Sequence, residues 1–212
     1  GWLGANRILV LEPRRLAARS AAIHVASLFG EPVGKTIGYR VRHETRVSKE
    51  TRIEFITSGI FTRMIVDDPE LSGVGAVLFD EFHERSLDND LGLALALDSQ
   101  KALRPDLRLL PMSATLDGAR VAALLDNAPV IESEGRSYKV EIAYRPRRAD
   151  EPLDQAMASA IRQALREDNG SVLCFLPGQA DIHRVHDRLK QSSGLPQNTD
   201  IHLLYGALEP KD

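Results

Sequence analysis

Apolar positions along this chain fall into two alternating rhythms. Short runs rich in β-branched and aliphatic residues, at 7–11, 52–56 and 76–79, are each followed by stretches of helical periodicity at 14–28, 60–66 and 87–103. The first rhythm predicts buried strands and the second predicts amphipathic helices. Their alternation predicts an α/β fold built from βαβ units, a parallel sheet flanked by helices. The pattern continues beyond the middle of the chain, with further strands expected at 107–110, 130–131, 140–144, 172–176 and 201–204, and helices at 153–166 and 180–190. Residues 138–148 gather Lys139, Arg145, Arg147 and Arg148 around Pro146, a change of chemistry that places a domain boundary near residue 136. Two domains are therefore expected, 1–136 and 137–212, with no internal repeat or low-complexity tract in either.

Composition narrows the class. The 212 residues are 43% hydrophobic, ample for a buried core. Lys and Arg total 27 against 30 Asp and Glu, a net charge of −3, so any nucleic-acid contact is local rather than global. A lone cysteine, Cys174, forms no internal disulfide and reads as a small core hydrophobe. His24, His183 and His186 share no metal-ligand spacing and read as structural or solvent-facing. A reducing, cytoplasmic compartment is expected. Residues 1–6 lack the charged-then-apolar order of a secretory signal, and no apolar run approaches the roughly 20 residues of a membrane span, so no membrane partner is expected.

The run at 75–79 is apolar throughout and ends abruptly in Asp80 and Glu81. In doubly wound sheets, ligands bind beyond the carboxyl ends of the strands, so these acids stand where a nucleotide would be expected. Hydrolysis of a nucleoside triphosphate needs an oxygen ligand for Mg²⁺ and a group that orients or deprotonates the attacking water. Asp80 suits the first role and Glu81 the second; taken alone, an Asp-Glu pair after a strand also serves to cap the following turn. His83-Glu84 invites comparison with the H-E-x-x-H zinc-protease motif, but the second histidine's position is Leu87. A metal-dependent hydrolase using Asp80, Glu81 and His83 stays open as an alternative.

The stretch at 80–86, DEFHERS, resembles motif II of superfamily-2 DEAH-box ATP-dependent helicases in the variant of the HrpB type. LEPRRLAARS at 11–20 is similar to motif Ia, TSG at 57–59 to motif Ib, SAT at 113–115 to motif III, and VLCFLPG at 172–178 to motif IV. LLYGAL at 203–208 resembles the stretch that follows it. The collinear order carries the resemblance, since SAT or TSG alone says little. The resemblance implies two tandem RecA-like domains, both incomplete, and a motor that couples ATP hydrolysis to movement along nucleic acid, with single-stranded RNA favoured. It implies catalytic roles for Asp80, Glu81 and His83, with Mg²⁺ held by Asp80 through water. Nucleotide-linked roles follow for Ser113 and Thr115, whose hydroxyls would meet His83 or its neighbours in a relay. Nucleic-acid contacts are implied for Pro13, Arg14, Arg15, Thr57, Ser58, Gly59, Pro177 and Gly178. Read without the resemblance, Arg14 and Arg15 also fit a solvated first helical turn, and Thr57 to Gly59 fit a helix N-cap.

Gly34-Lys35-Thr36 looks like the end of a G-x-x-x-x-G-K-[ST] phosphate loop. The first glycine's position is Phe29, Pro32 removes an amide, and 16–29 reads as helix where a strand is required. The segment is expected to be a loop leading into Gly38-Tyr39-Arg40-Val41-Arg42. In the family the phosphate loop lies upstream of motif Ia and motifs V and VI lie beyond residue 212, so the resemblance implies a fragment of a motor that is inactive by itself. A rival from another class is a non-catalytic RecA-like nucleic-acid-binding module.

Overall fold

The computed structural model describes residues 1–114, 118–133, 135, 138–191, 194–196 and 198–206. The chain divides into two compact units, Gly1–Glu134 and Gly135–Asp212.

The first unit is organised on a six-stranded sheet. Its strands are β1 (Arg7–Glu12), β2 (Ile37–Val41), β3 (Glu44–Arg46), β4 (Ile53–Thr57), β5 (Val74–Phe79) and β6 (Arg108–Pro111), in the spatial order β3-β2-β4-β1-β5-β6. All neighbouring pairs are parallel except β2 with β3. Three helices connect and cover these strands: α1 (Arg15–Leu28), α2 (Ser58–Asp67) and α3 (Leu87–Ala102). A short helix, α4 (Gly118–Leu124), follows β6.

Alternation along the strands divides the core between the two faces. Leu9, Leu11, Ile56, Val77 and Phe79 pack with Phe61 and Ile65 of α2 and with Leu93 and Ala96 of α3. Val10, Tyr39, Val41 and Phe55 pack on the opposite face against α1. That helix offers Ala18, Ala22 and Ala26, one small residue per turn, all buried, so its backbone lies close to the sheet. Covering both faces explains why β1 and β5 read as continuous apolar runs.

One charge lies within this apolar layer. Glu54 on β4 is 1% exposed; Arg40 Nε donates to its Oε1 at 2.8 Å, and Arg7 Nε lies 3.7 Å from Oε2. The carboxylate thus joins side chains from β1, β2 and β4, and removing one partner would leave a buried charge uncompensated.

The predicted strands at 7–11, 52–56, 76–79 and 107–110 and the helices after the first three all appear within two residues of the expected bounds. Strands β2 and β3 were not anticipated. β3 turns back along β2 with Tyr39 opposite Arg46, and a Cβ on Gly38 would meet the Arg46 carbonyl oxygen at 2.5 Å. Only glycine permits that approach.

The expected strands at 130–131, 140–144, 172–176 and 201–204 are not present as strands. Val140, Ile142, Tyr144, Val172, Leu173 and Phe175 are exposed instead. Apolar alternation supplies only the side-chain half of a strand; a ladder also needs a neighbouring backbone, and these segments have none among the described residues. The second unit is held by α5 (Leu153–Glu167) and α6 (Gln179–Gln191), which bury Ala158, Val185 and Leu189, and by Arg188 Nε donating to Asp154 Oδ2 at 2.6 Å. Cys174 is half-buried outside any strand, which corrects its reading as a strand-core residue; burial pushes its thiol up.

Phe79 is fully buried and meets Phe61 and Phe82 edge-on at ring-centroid distances of 5.8 and 6.3 Å. Phe79→Ala is expected to lower unfolding free energy by about 3–5 kcal/mol, measured by urea denaturation, because it opens a cavity where α2, β5 and the following turn meet. A loss below about 1 kcal/mol would show that this junction does not hold the sheet to its helices.

Candidate functional site

Parallel pairing brings the ends of four strands to one edge. Leu11 is in register with Phe79, Glu12 with Thr57, and Phe79 with Pro111. The residues that follow, Pro13-Arg14, Ser58-Gly59, Asp80-Glu81 and Met112-Ser113, therefore share the carboxyl edge of the sheet. The join between β1 and β5 continues one residue past the strand, with Asp80 N donating to Leu11 O at 3.0 Å. Beyond it, Met112 N donates to Phe79 O at 2.8 Å and Phe82 N to Met112 O at 3.0 Å.

Asp80 and Glu81 are held differently. Asp80 is half-buried and its Oδ1 accepts the Glu81 amide at 2.8 Å. Glu81 sits in the left-handed region at φ 49°, ψ 37°, the N-cap of a 3-10 turn at Phe82–Glu84, and Arg85 closes that turn at φ 49°, ψ 47°. A non-glycine residue held there costs about 1–3 kcal/mol. Buried Phe82 pins the first residue of the turn, and the Glu81 carboxylate is half-exposed. His83 Nδ1 lies 3.3 Å from Glu81 Oε2 without an aligned hydrogen bond, and it is a buried nitrogen with no hydrogen-bond partner among the described residues.

A third carboxyl lies beside this pair, one that the sequence motifs do not single out. Glu12 ends β1 and is 5% exposed. Its carboxyl is pushed up to about 7, first by burial and then by the charges of Asp80 and Glu81, with a further contribution from a hydrogen bond to Asp80. The signal was present in the sequence: an acid at the end of a buried apolar run, directly before Pro13, mirrors Asp80 on the neighbouring strand.

The metal expectation can be tested on donor chemistry. Mg²⁺ is commonly bound by one or two carboxylates, with water and substrate phosphates completing its shell. The half-buried Asp80 carboxylate, at the end of its strand beside Glu12, fits that minimal donor set. An all-protein cage is a different matter: no group of three or more His, Cys, Asp or Glu side chains able to hold a metal occurs among the described residues. The hydrolase alternative built on Asp80, Glu81 and His83 thus lacks an assembled ligand set.

The remaining candidates are distributed as follows. Arg14 is the N-cap residue of α1, and its Nη2 donates to Glu84 Oε1 at 2.7 Å, whereas Arg15 is exposed with no pairing side chain among the described residues. Thr57 occupies the N-cap of α2 but makes no side-chain cap. Ser58 is buried and donates to Asn89 Oδ1 of α3, so its hydroxyl faces inward while its backbone opens the helix. Gly59 is exposed. Ser113 follows β6, half-buried, and Thr115 lies outside the described residues. In the second unit, Pro177 is exposed and the Gly178 carbonyl accepts the amides of Asp181 and Ile182 at the start of α6.

Gly34-Lys35-Thr36 precedes β2 and hence lies at the amino edge of the parallel strands, opposite Asp80. Two of its amides are already committed: Gly34 N donates to Ile37 O at 2.7 Å and Thr36 N to Glu31 Oε1 at 2.9 Å, while Glu31 also accepts the Ile37 amide at 3.2 Å and the Thr36 hydroxyl at 3.0 Å. An internal carboxylate fills the place that a phosphate would need.

With strand order, motif placement and carboxylate geometry in view, comparison with known proteins becomes informative. No family model matches the chain. It is 52% identical over 209 residues to the ATP-dependent RNA helicase HrpB of Escherichia coli, an alignment covering 98% of this chain and 25% of that protein. The chain belongs to the HrpB-type DEAH-box family. Its sheet is accordingly RecA-like: a crystal structure of the E. coli DEAH/RHA helicase HrpB superposes with a TM-score of 0.87 at 51% identity, over 96% of this chain and 26% of that one. A second, of the E. coli DExH-box NTPase HrpB, gives 0.81 at 51% identity, over 98% of this chain and 25% of that one. More distantly, the chain is 34% identical over 203 residues to an ATP-dependent RNA helicase HrpA homolog of Haemophilus influenzae, covering 95% of this chain and 15% of that protein. The chain thus spans about a quarter or less of the length of these relatives.

The protonation of Glu12 sets a pH dependence. Its carboxyl ordinarily titrates near 4.5 and here near 7, so the folded state binds the proton more tightly than the unfolded chain does. That contribution is fully present below about pH 4.5 and is lost as pH rises through about 7, at most about 3 kcal/mol. In metal-free buffer, Glu12→Gln is expected to match the parent near pH 5 and to exceed it in thermal stability at pH 8. A stability difference that does not change with pH would contradict this account.

Proposed function

We propose that this chain is part of an ATP-dependent RNA helicase and supplies one wall of its nucleotide site together with part of its RNA track. The observation that carries the reading is the convergence on one sheet edge of a half-buried Asp80, a Glu81 held forward in a left-handed conformation, and the two arginines after β1. Its similarity to ATP-dependent RNA helicases supports the same reading.

In this proposal the Asp80 carboxylate would take part in holding Mg²⁺, which when bound would neutralise charge on the transferring phosphate. The Glu81 carboxylate, half-exposed just past the end of the strand, orients the attacking water and accepts its proton. His83, within reach of Glu81, steadies that carboxylate, and Ser113 and Thr115 lie in sequence where they can transmit the nucleotide's state to the turn. Arg15, Arg14 and the backbone at Pro13, Thr57, Ser58 and Gly59 contact phosphates of a single RNA strand, a sequence-independent mode. Pro177 and Gly178 contribute from the second unit. We assign the two units to two RecA-like domains, 1–136 and 137–212, and place the protein in the cytoplasm. No helix among the described residues is long and apolar enough to cross a membrane.

Two measurements test this reading in the full-length protein. Glu81→Gln is expected to reduce ATP turnover by about 100-fold or more, the range for removing a general base, with ATP binding retained. Unchanged turnover would remove Glu81 from its role, and RNA binding indifferent to ATP would favour the non-catalytic module. Arg15→Ala is expected to lower RNA affinity for all sequences alike and to reduce the salt slope by about one ion. A slope equal to the parent's would take Arg15 off the track.

A further inference from the structure

One ion pair joins two loops at the carboxyl edge. Arg14 Nη2 donates to Glu84 Oε1 at 2.7 Å across a sequence separation of 70 residues. The Arg14 side chain is 73% exposed and that of Glu84 31% exposed, so the pair is open to an incoming ligand. Its neighbour Arg15 has no such partner among the described residues. Of two adjacent arginines after β1, one is unengaged and the other already holds a carboxylate.

A guanidinium recognises carboxylate and phosphate oxygens with the same fork of N–H donors. The N–H of Arg14 that Glu84 occupies is therefore one that a phosphate would take only by displacing Glu84. That displacement would not be isolated. Glu84 N donates to Glu81 O at 2.9 Å and Arg85 N to Phe82 O at 3.2 Å, so Glu84 moves with the turn whose first residue is Glu81. Both ends of the turn, Glu81 and Arg85, are held in the left-handed region.

We propose that Glu84 is an internal phosphate mimic: it occupies Arg14 in the RNA-free state and is displaced by a backbone phosphate of the bound strand, so that RNA arrival is felt by the turn carrying Glu81. This rests on the reading of Arg14 as an RNA contact. It assigns Glu84 a positioning role, since it touches neither nucleotide nor RNA. The competing pair is exposed and correspondingly weak, which suits a contact that must be exchanged during each cycle.

The test is a double-mutant cycle in the full-length protein, with binding of a fluorescent single-stranded RNA measured at low salt. Glu84→Gln keeps the side chain's shape and removes the competing charge; RNA is expected to bind about fivefold more tightly, the scale of a surface ion pair. The RNA concentration giving half-maximal stimulation of ATP turnover should fall by a similar factor. Glu84→Asp, which retains the charge, is expected to stay nearer the parent. Arg14→Ala is expected to weaken RNA binding, and Arg14→Ala with Glu84→Gln should bind as Arg14→Ala does alone. If Glu84→Gln tightens binding equally in both backgrounds, its effect is general electrostatics and the proposal fails. If Arg14→Ala weakens binding while Glu84→Gln alone does nothing, the mimic is overturned and the RNA contact stands. If Arg14→Ala has no effect, the underlying contact is overturned as well.

Discussion

The structure of the first unit depends on the parallel pairing of β1 with β5. Leu11 faces Phe79 in that ladder, and the bond from Asp80 N to Leu11 O extends it past the end of β5. Both strands are covered by helices on each side, so they can be apolar along their length. The same pairing sends both chains out at one edge, where Glu12 and Asp80 emerge side by side. Sheet stability and the crowding of acids therefore have a common origin.

That crowding has identifiable costs. Glu12 cannot ionise at ordinary cost beside Asp80 and Glu81 in a buried setting, and its carboxyl is pushed up to about 7. Glu81 adopts a backbone conformation that disfavours side chains with a Cβ. His83 Nδ1 is buried without a hydrogen-bond partner among the described residues. Such departures from local preference cluster at sites where the surrounding packing over-determines them. Here the packing is supplied by Phe79, Phe82 and Phe61, whose edge-on contacts fix the turn between β5 and α3. The loops around that turn are also connected: Arg14 reaches Glu84, and Ser58 reaches Asn89. Segments separated by tens of residues in the chain are thus tied by single polar contacts at one edge.

Much of this architecture was legible beforehand. The central strands and their helices follow from residue period, because a strand covered on two faces and a helix covered on one leave distinct apolar patterns. The carboxylate edge follows from an apolar run ending in Asp80-Glu81. The readings at 140–144 and 172–176 failed for a specific reason: Val140, Ile142 and Tyr144 alternate correctly, but alternation does not provide a neighbouring backbone. Strand β3, three residues long and exposed on two of them, carried too little pattern to be found, and its place was decided by Gly38 allowing a close return.

By itself the sequence determined four strands of the central sheet, β1, β4, β5 and β6, the acidic end of β5, and the family that the motifs resemble, since these depend on local residue order and spacing. Tertiary structure alone decided that Glu12 joins Asp80 as an acid slow to give up its proton, that Ser58 turns inward to Asn89, that Gly34-Lys35-Thr36 stands at the wrong edge with the Thr36 amide and hydroxyl engaged by Glu31, and that Arg14 is already paired with Glu84. Each of these rests on residues brought together by the sheet. Protonation, burial and pairing depend on distance in space, which spacing along a chain does not specify until the strands have taken their order.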